Sequence, residues 1–248
     1  NLSDLAAMGA EPAWALLGLT LPAADESWLA EFAAGFDELA RRFGVALVGG
    51  DTTRGPLAAT VTVGGWVPPG EALTRSGAKP GDELWISGTP GDAGAGLAIL
   101  QSRLAAGSAA REELLRRFLL PEPRVSLGLA LRGIASACID ISDGLAGDLA
   151  KLCRASGVGA RLDCPRLPRS RQLIEAAGEE ASMRFALSGG DDYELLFTAP
   201  AAAGRRIESL APLTPVSRIG EITATPGMQL QGAGPERDLV HGFDHFTD

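Results

Sequence analysis

The chain has only two lysines, Lys79 and Lys151, set against 31 acidic residues and a formal charge of -9. No basic stripe is available to neutralise a phosphate backbone, which argues against nucleic acid as a partner. Cysteine is scarce too. Cys138, Cys153 and Cys164 are odd in number and lack CxxC spacing, so neither a disulfide framework nor a structural zinc site is expected and the three read as reduced core thiols. No apolar run approaches the roughly 20 residues of a membrane span, and the start lacks a basic segment followed by an apolar one. A cytoplasmic protein without a membrane partner is therefore expected. The two histidines, His241 and His245, both lie in the tail, where ordinary packing or solvation is their expected role. What is present is an apolar fraction of 46% over 248 residues, ample for one large packed domain or two smaller ones.

Helical and strand patterns alternate along the chain. A strand is expected over Trp14 to Leu21, then an amphipathic helix over Glu26 to Phe43 that ends at Gly44, where a left-handed cap suits glycine. Strands follow at Val45 to Val48 and Leu57 to Val67. The stretch "PPGEALTRSGAKPGDE" is rich in Pro, Gly and charge and marks the domain boundary, dividing the chain into 1–76 and 77–248. In the second part "WISGTPGDAGAGLAIL" runs from a strand through a glycine loop into a helix. Helices are expected near Glu112 to Leu119, Val125 to Ala135, Leu145 to Ala155, Gln172 to Ala177 and Arg205 to Leu210, with strands at "ACIDISDG", Ala160 to Asp163 and "DYELLFTA". The architecture is α+β in two domains, with mixed sheets flanked by helices.

Acids recur in similar surroundings, at "NLSDLAAMG", "VGGDTTRG", "CIDISDGL" and "SGGDDYEL". Asp51 follows an apolar stretch and could simply make a turn. Asp4 could sit in the first turn of a helix, where its charge is favoured, and Asp143 could cap the helix beginning at Leu145. Asp140 is harder to place. Period-two alternation puts Ala137, Ile139 and Ile141 on one face and Cys138, Asp140 and Ser142 on the other, so a carboxylate ends an otherwise buried strand and needs a partner. A bound metal would serve. Mg2+ takes oxygen ligands, keeps several waters and uses one or two carboxylates with substrate phosphates. The loop "GTPGDAGAG", Gly88 to Gly96, could cradle a phosphate or merely pack; it matches neither the P-loop nor the dinucleotide fingerprint. Arg75 in "ALTRSG" could fork onto phosphate oxygens or remain a solvated charge.

Together, "NLSDLAAMGAEPAW", "GGDTTRG", "ALTRSGAKPGDELWISGTPGD", "CIDISDGLAGDL", "ALSGGDDYEL" and "GFDHF" resemble the thiamine-monophosphate kinase family, within the aminoimidazole-ribonucleotide-synthetase-like superfamily. The resemblance spans nearly the whole chain in the right order. It implies ATP-dependent phosphorylation of thiamine monophosphate to thiamine diphosphate, a two-domain α+β fold and a homodimer built through the N-terminal domains. It implies that residues 1–76 form an ATP- and Mg-binding dimerisation domain, incomplete at its start, and that 77–248 form a C-terminal α+β domain.

By the same resemblance Asp4, Asp51 and Asp140 match Mg2+ ligands and Asp143 the ligand of a further ion, so several ions are expected with ATP as co-substrate. Gly50, Asp51, Arg75 and Ser142 match nucleotide-contacting positions, and Asp51, Arg75 and Asp140 would carry catalysis. Asp191 matches a substrate-contacting acid that is often Glu in relatives, and Phe243 an aromatic substrate-binding position where Tyr is also found. Asp148 and Asp192 are expected to play supporting roles. The family also carries an upstream segment with additional acidic ligands, so the polypeptide is expected to extend before Asn1 by roughly 50–80 residues, judged against typical domain sizes. Two alternatives remain open: another ATP-dependent enzyme of the superfamily, such as a purine-pathway or selenophosphate synthetase, and a non-catalytic nucleotide-binding or dimerisation module.

Overall fold

A computed structural model describes residues 1–232. Phe243, His241 and His245 lie outside the described residues. Two sheets organise the chain. The first has three strands, β1 (Glu11–Leu21), β2 (Ala46–Arg54) and β3 (Ala58–Trp66), in the order β2-β1-β3. β1 and β2 are parallel and are joined by helix α2 (Glu26–Arg42), while β3 returns antiparallel to β1. α2 starts where the Asp25 carboxylate accepts the Trp28 amide at 3.1 Å, as an N-cap should.

β2 runs on past the expected strand of Val45 to Val48, where a turn at Asp51 was one option. It continues through the whole of "GGDTTR", with Asp51 opposite Gly18 of β1. Gly50 makes this possible: its φ is +149°, and a Cβ there would lie 1.9 Å from the Leu17 carbonyl oxygen. Only glycine lets the two backbones approach so closely at that φ.

The second sheet has six strands in the order β5-β7-β4-β8-β6-β9. These are β4 (Asp82–Ser87), β5 (Ala137–Asp140), β6 (Gly159–Asp163), β7 (Leu195–Pro200), β8 (Val216–Thr223) and β9 (Gly227–Gln231). All neighbours are antiparallel except β6 and β9. The helices are α1 (Leu2–Ala7) at the start, then α3 (Asp92–Leu100), α4 (Ser108–Leu119), α5 (Val125–Ala130), α6 (Leu145–Ser156), α7 (Arg171–Ser188) and α8 (Gly204–Glu208). α7 is far longer than its apolar pattern suggests and kinks at Gly178, where φ is +75°. α5 is shorter than expected. β7 begins at Leu195 rather than Asp192, because Asp191 and Tyr193 have φ of 64° and 51° and cannot join an extended ladder.

The alternation read along β5 has a direct packing consequence. Ala137, Ile139 and Ile141 join Leu84, Ile86 and Leu196 in a core covered by Leu145, Leu149 and Leu152 of α6. Cys138 faces the other way, into a core with Trp85, Phe197, Leu127 and Leu131, which Ala6 and Ala7 of α1 also enter. α1 is therefore seated on the side of β5 that carries Cys138 and Asp140. The three cysteines are buried and form no disulfide. Among the described residues no helix is long and apolar enough to cross a membrane.

Candidate active site

The packing of α1 on β5 determines which acids meet. Asp4, exposed in the first turn of α1, and Asp140, buried at the end of β5, line one cavity of about 270 Å³ together with Arg75, Ser142, Asp148, Lys151 and Tyr193. Arg75 belongs to the segment linking the two sheets. That segment is tied to β5 by the Cys138 amide donating to the Thr74 carbonyl at 2.9 Å, and to α6 by the Ser156 hydroxyl donating to the Arg75 carbonyl at 2.9 Å.

Asp140 sits in the least favourable charge environment of the cavity. Burial pushes the Asp140 carboxyl above its usual range and the charge of Asp4 pushes it further. The nearby Ser3 hydroxyl, which makes no hydrogen bond of normal geometry, opposes the rise. Asp143 is ion-paired with Lys151 and does not cap α6. The loop entering α6 is held instead by Asp148, whose Oδ2 accepts the Ser142 and Asp143 amides at 3.0 Å each and whose Oδ1 accepts Lys151 Nζ at 2.8 Å. For Lys151 burial pulls the pKa down, but hydrogen bonds and charge from Asp143 and Asp148 together leave it raised.

Not every expected residue gathers here. Gly50 and Asp51 stay on β2, where Asp51 is exposed, accepts the Thr52 amide at 2.9 Å, and lines none of the described cavities. Asp191 is not in the cavity wall either. Tyr193 is, and its phenol donates to Asp191 Oδ1 at 3.2 Å. The sequence reading missed Tyr193, although it is the single tyrosine of the chain and stands inside "SGGDDYEL"; that rarity was the available signal.

The glycine loop packs. Its amides at Gly91 and Ala93 donate to Asp192 at 2.6 and 3.2 Å, so a buried protein carboxylate occupies the start of α3 where a phosphate was one option. Burial raises the Asp192 carboxyl well above its usual range, against the pull of those two amides. Two residues on, Glu194 is fully buried and receives Ser87 Oγ at 2.5 Å, Arg117 Nη2 at 2.6 Å and Arg124 Nε at 2.7 Å. Burial would raise its pKa, but the two guanidiniums and Ser87 outweigh that and hold it below the usual range.

Whether the cavity fits Mg2+ can be judged from its donors. Asp4, Asp140 and Ser142 offer only hard oxygens, and the Asp140 carboxylate is desolvated beside another negative charge. Among the described residues no three His, Cys, Asp or Glu side chains cluster to enclose an ion. Mg2+ needs no such cage, since it takes one or two carboxylates and leaves its other positions to water and phosphate. The residues fit it.

Known proteins resemble this chain along its length. The AIR synthase related protein N-terminal domain matches residues 1–67 and the corresponding C-terminal domain residues 79–233. The thiamine-monophosphate kinase of Escherichia coli (strain K12) is 49% identical over 252 residues, covering 100% of this chain and 78% of the relative. The crystal structure of thiamine-monophosphate kinase from Stenotrophomonas maltophilia K279a superposes with a TM-score of 0.89 at 47% identity, covering 94% of this chain and 76% of that one. AaThiL complexed with AMPPCP and TMP gives a TM-score of 0.87 at 32% identity, over 99% of this chain and 77% of that one. With both halves matched and the identity sustained from end to end, the chain belongs to the AIR synthase related family and, within it, to the thiamine-monophosphate kinases.

Proposed function

We propose that the protein transfers the γ-phosphoryl group of ATP directly to the phosphate of thiamine monophosphate, giving thiamine diphosphate and ADP. The observation that carries this reading is the convergence of Asp4, Asp140, Ser142 and Arg75 on one cavity, in a chain 49% identical to a thiamine-monophosphate kinase. The acceptor is a phosphate oxygen whose second pKa is about 6, so it is largely ionised near neutrality and needs no strong general base. The work left to the protein is positioning and charge stabilisation. Arg75 forks onto phosphate oxygens, and the Ser142 hydroxyl donates to the nucleotide. Asp4 and Asp140 would hold Mg2+, and Asp143 a further ion in competition with Lys151. Bound there, Mg2+ would supply the positive charge that makes the approach of two phosphorylated substrates attractive. The acceptor oxygen bonds to the γ-phosphorus as the bond to the departing ADP oxygen breaks. Incubating the purified protein with thiamine monophosphate and ATP carrying a chiral γ-phosphorus should give thiamine diphosphate with inverted configuration. Retention would eliminate direct transfer, and absence of product would favour a non-catalytic binding module.

Further features belong to the same proposal. Residues 1–76 are the nucleotide, metal and dimerisation part and 77–248 the C-terminal domain, with Asp191 and Phe243 meeting thiamine monophosphate. Support for a homodimer comes from the first sheet, which leaves Leu47 and Val48 of β2 and Trp66 of β3 exposed by 52, 62 and 69%; large exposed apolar groups on one small sheet mark an interface. Sedimentation should give twice the protomer mass, and a monomer would remove this part. A cytoplasmic place of action is supported by the three cysteines staying outside disulfides, which suits a reducing compartment. Asp51 would hold Mg2+ from β2 and contact the nucleotide, with Gly50 beside it. Asp51→Asn should fold normally and reduce kcat by at least about tenfold, most severely at low Mg2+. Near-normal turnover at low Mg2+ would remove Asp51 from the site.

A further inference from the structure

The segment Ser188 to Glu194 is built so that alternate residues have opposite fates. Asp192 and Glu194 are 2 and 0% exposed and are bound on the inner side, Asp192 to the start of α3 and Glu194 to Arg117, Arg124 and Ser87. The alternating partners, Asp191 and Tyr193, adopt left-handed backbone conformations. A non-glycine residue there is strained and persists only where its surroundings over-determine it. They do so here. The amides of Asp191 and Tyr193 donate to the carbonyls of Ser142 and Ile141 at 2.9 Å each, and the Ile141 amide donates back to the Glu194 carbonyl at 2.9 Å. The strand that carries Asp140 and the loop that carries Asp191 are thereby locked together.

Tyr193 is what this strain positions. Its side chain lines the acidic cavity and also an adjoining apolar cavity of about 330 Å³ formed by Leu2, Phe36, Val45, Val61, Val63 and Pro121 among others. Asp191 borders neither cavity, so its link to both is the phenol that donates to Oδ1. We propose that Tyr193 is a positioning residue, which holds the Asp191 carboxylate in place for thiamine monophosphate and forms the wall between the acidic cavity and its apolar neighbour. The proposal rests on the reading that Asp191 contacts this substrate. Burial first, then the charge of Asp191 and the hydrogen bond to it, push the Tyr193 phenol up to about 12, so it is protonated and the donor at any physiological pH.

Steady-state kinetics of Tyr193→Phe, Asp191→Ala and the double variant test this, with each substrate varied in turn. Tyr193→Phe removes one oxygen and should raise KM for thiamine monophosphate roughly three- to tenfold, while KM for ATP moves by less than about twofold. Asp191→Ala should raise the same KM at least as much, and the double variant should match Asp191→Ala alone, because removing the holder has no further effect once the held group is gone. Multiplying effects, or equal rises in both KM values for Tyr193→Phe, would overturn the positioning role alone. An unchanged KM in Asp191→Ala would overturn the substrate reading and the proposal with it. A second readout does not depend on activity. Tyr193 is the only tyrosine, so a chain labelled with 13Cζ-tyrosine gives one signal from this sequence. That signal should shift in Asp191→Ala at neutral pH, and an unmoved signal would show that no phenol–carboxylate bond exists.

Discussion

Glu194→Ala is expected to be the most destabilising single substitution at the loop that carries Asp191. It would leave the buried Arg117 and the largely buried Arg124 without their shared carboxylate. Breaking a buried pair by removing one partner costs about 3–5 kcal/mol, because the remaining charge is stranded. For a domain of this size that corresponds to a fall in Tm of roughly 6–20 °C. Asp92, 3.9 Å from Arg117 Nε, and Asp192 are too weak a substitute, since burial already raises the pKa of both. Glu194→Gln keeps the shape and some hydrogen bonds but not the charge, and should fall between.

The sign of the pH dependence follows from the lowered pKa of Glu194. Its folded-state carboxyl titrates below the unfolded value of 4.5, so its stabilisation is fully present above that value and is lost as pH falls through the folded one. Asp92 and Asp192 act in the opposite sense, because their raised folded values make protonation favourable in the native state. The clean measurement is therefore the difference in unfolding free energy between the natural chain and Glu194→Gln as a function of pH. It should be constant near neutrality and shrink below about 4.5. A difference independent of pH through acid would show that the Glu194 charge is not what holds the two arginines.

Asp140→Asn should lose activity and gain stability at once. As a proposed ligand whose charge is aimed at the phosphoryl groups, its loss should lower kcat by about 10²–10³. In the absence of divalent ions and nucleotide, however, the carboxylate is a burden on the fold. Its raised folded pKa means that the ionised form is penalised at neutral pH relative to a neutral isostere of the same shape. The variant should therefore unfold at a higher temperature than the natural chain at pH 7. That advantage should vanish below an unfolded Asp value of about 3.9, where both side chains are neutral. Addition of Mg2+ with ATP should reverse the order, because a ligand that binds only the native state stabilises the chain that can bind it. An active Asp140→Asn variant, or one less stable than the natural chain without ligands, would remove Asp140 from the role given to it.

These two residues show why some of the molecule could be read before folding and some could not. The opposite faces of Ala137 to Asp140 were legible because a strand alternates its side chains whatever surrounds it. The span of α2 was legible to within a residue because helix periodicity and termination at glycine are local steric matters. The continuation of β2 through "GGDTTR" was not legible, because those residues favour turns locally and a turn stood as one option for Asp51. Strand pairing with Gly18 and the room made by Gly50 override that preference. No local rule could reveal that Asp192 would close the start of α3 from 101 residues away, nor that Glu194 would gather two arginines.

The sequence by itself determined the α+β class, the family and the acids worth watching, since these depend on composition, short-range sterics and motif order. Only the tertiary structure decided that Asp4 meets Asp140 through the seating of α1 on one face of β5, that Asp51 stays on the other sheet, and that Tyr193 stands between Asp191 and the cavity. Those outcomes depend on which faces pack and in which register, and a carboxylate's partners are set by distances of a few ångströms between segments far apart in the chain.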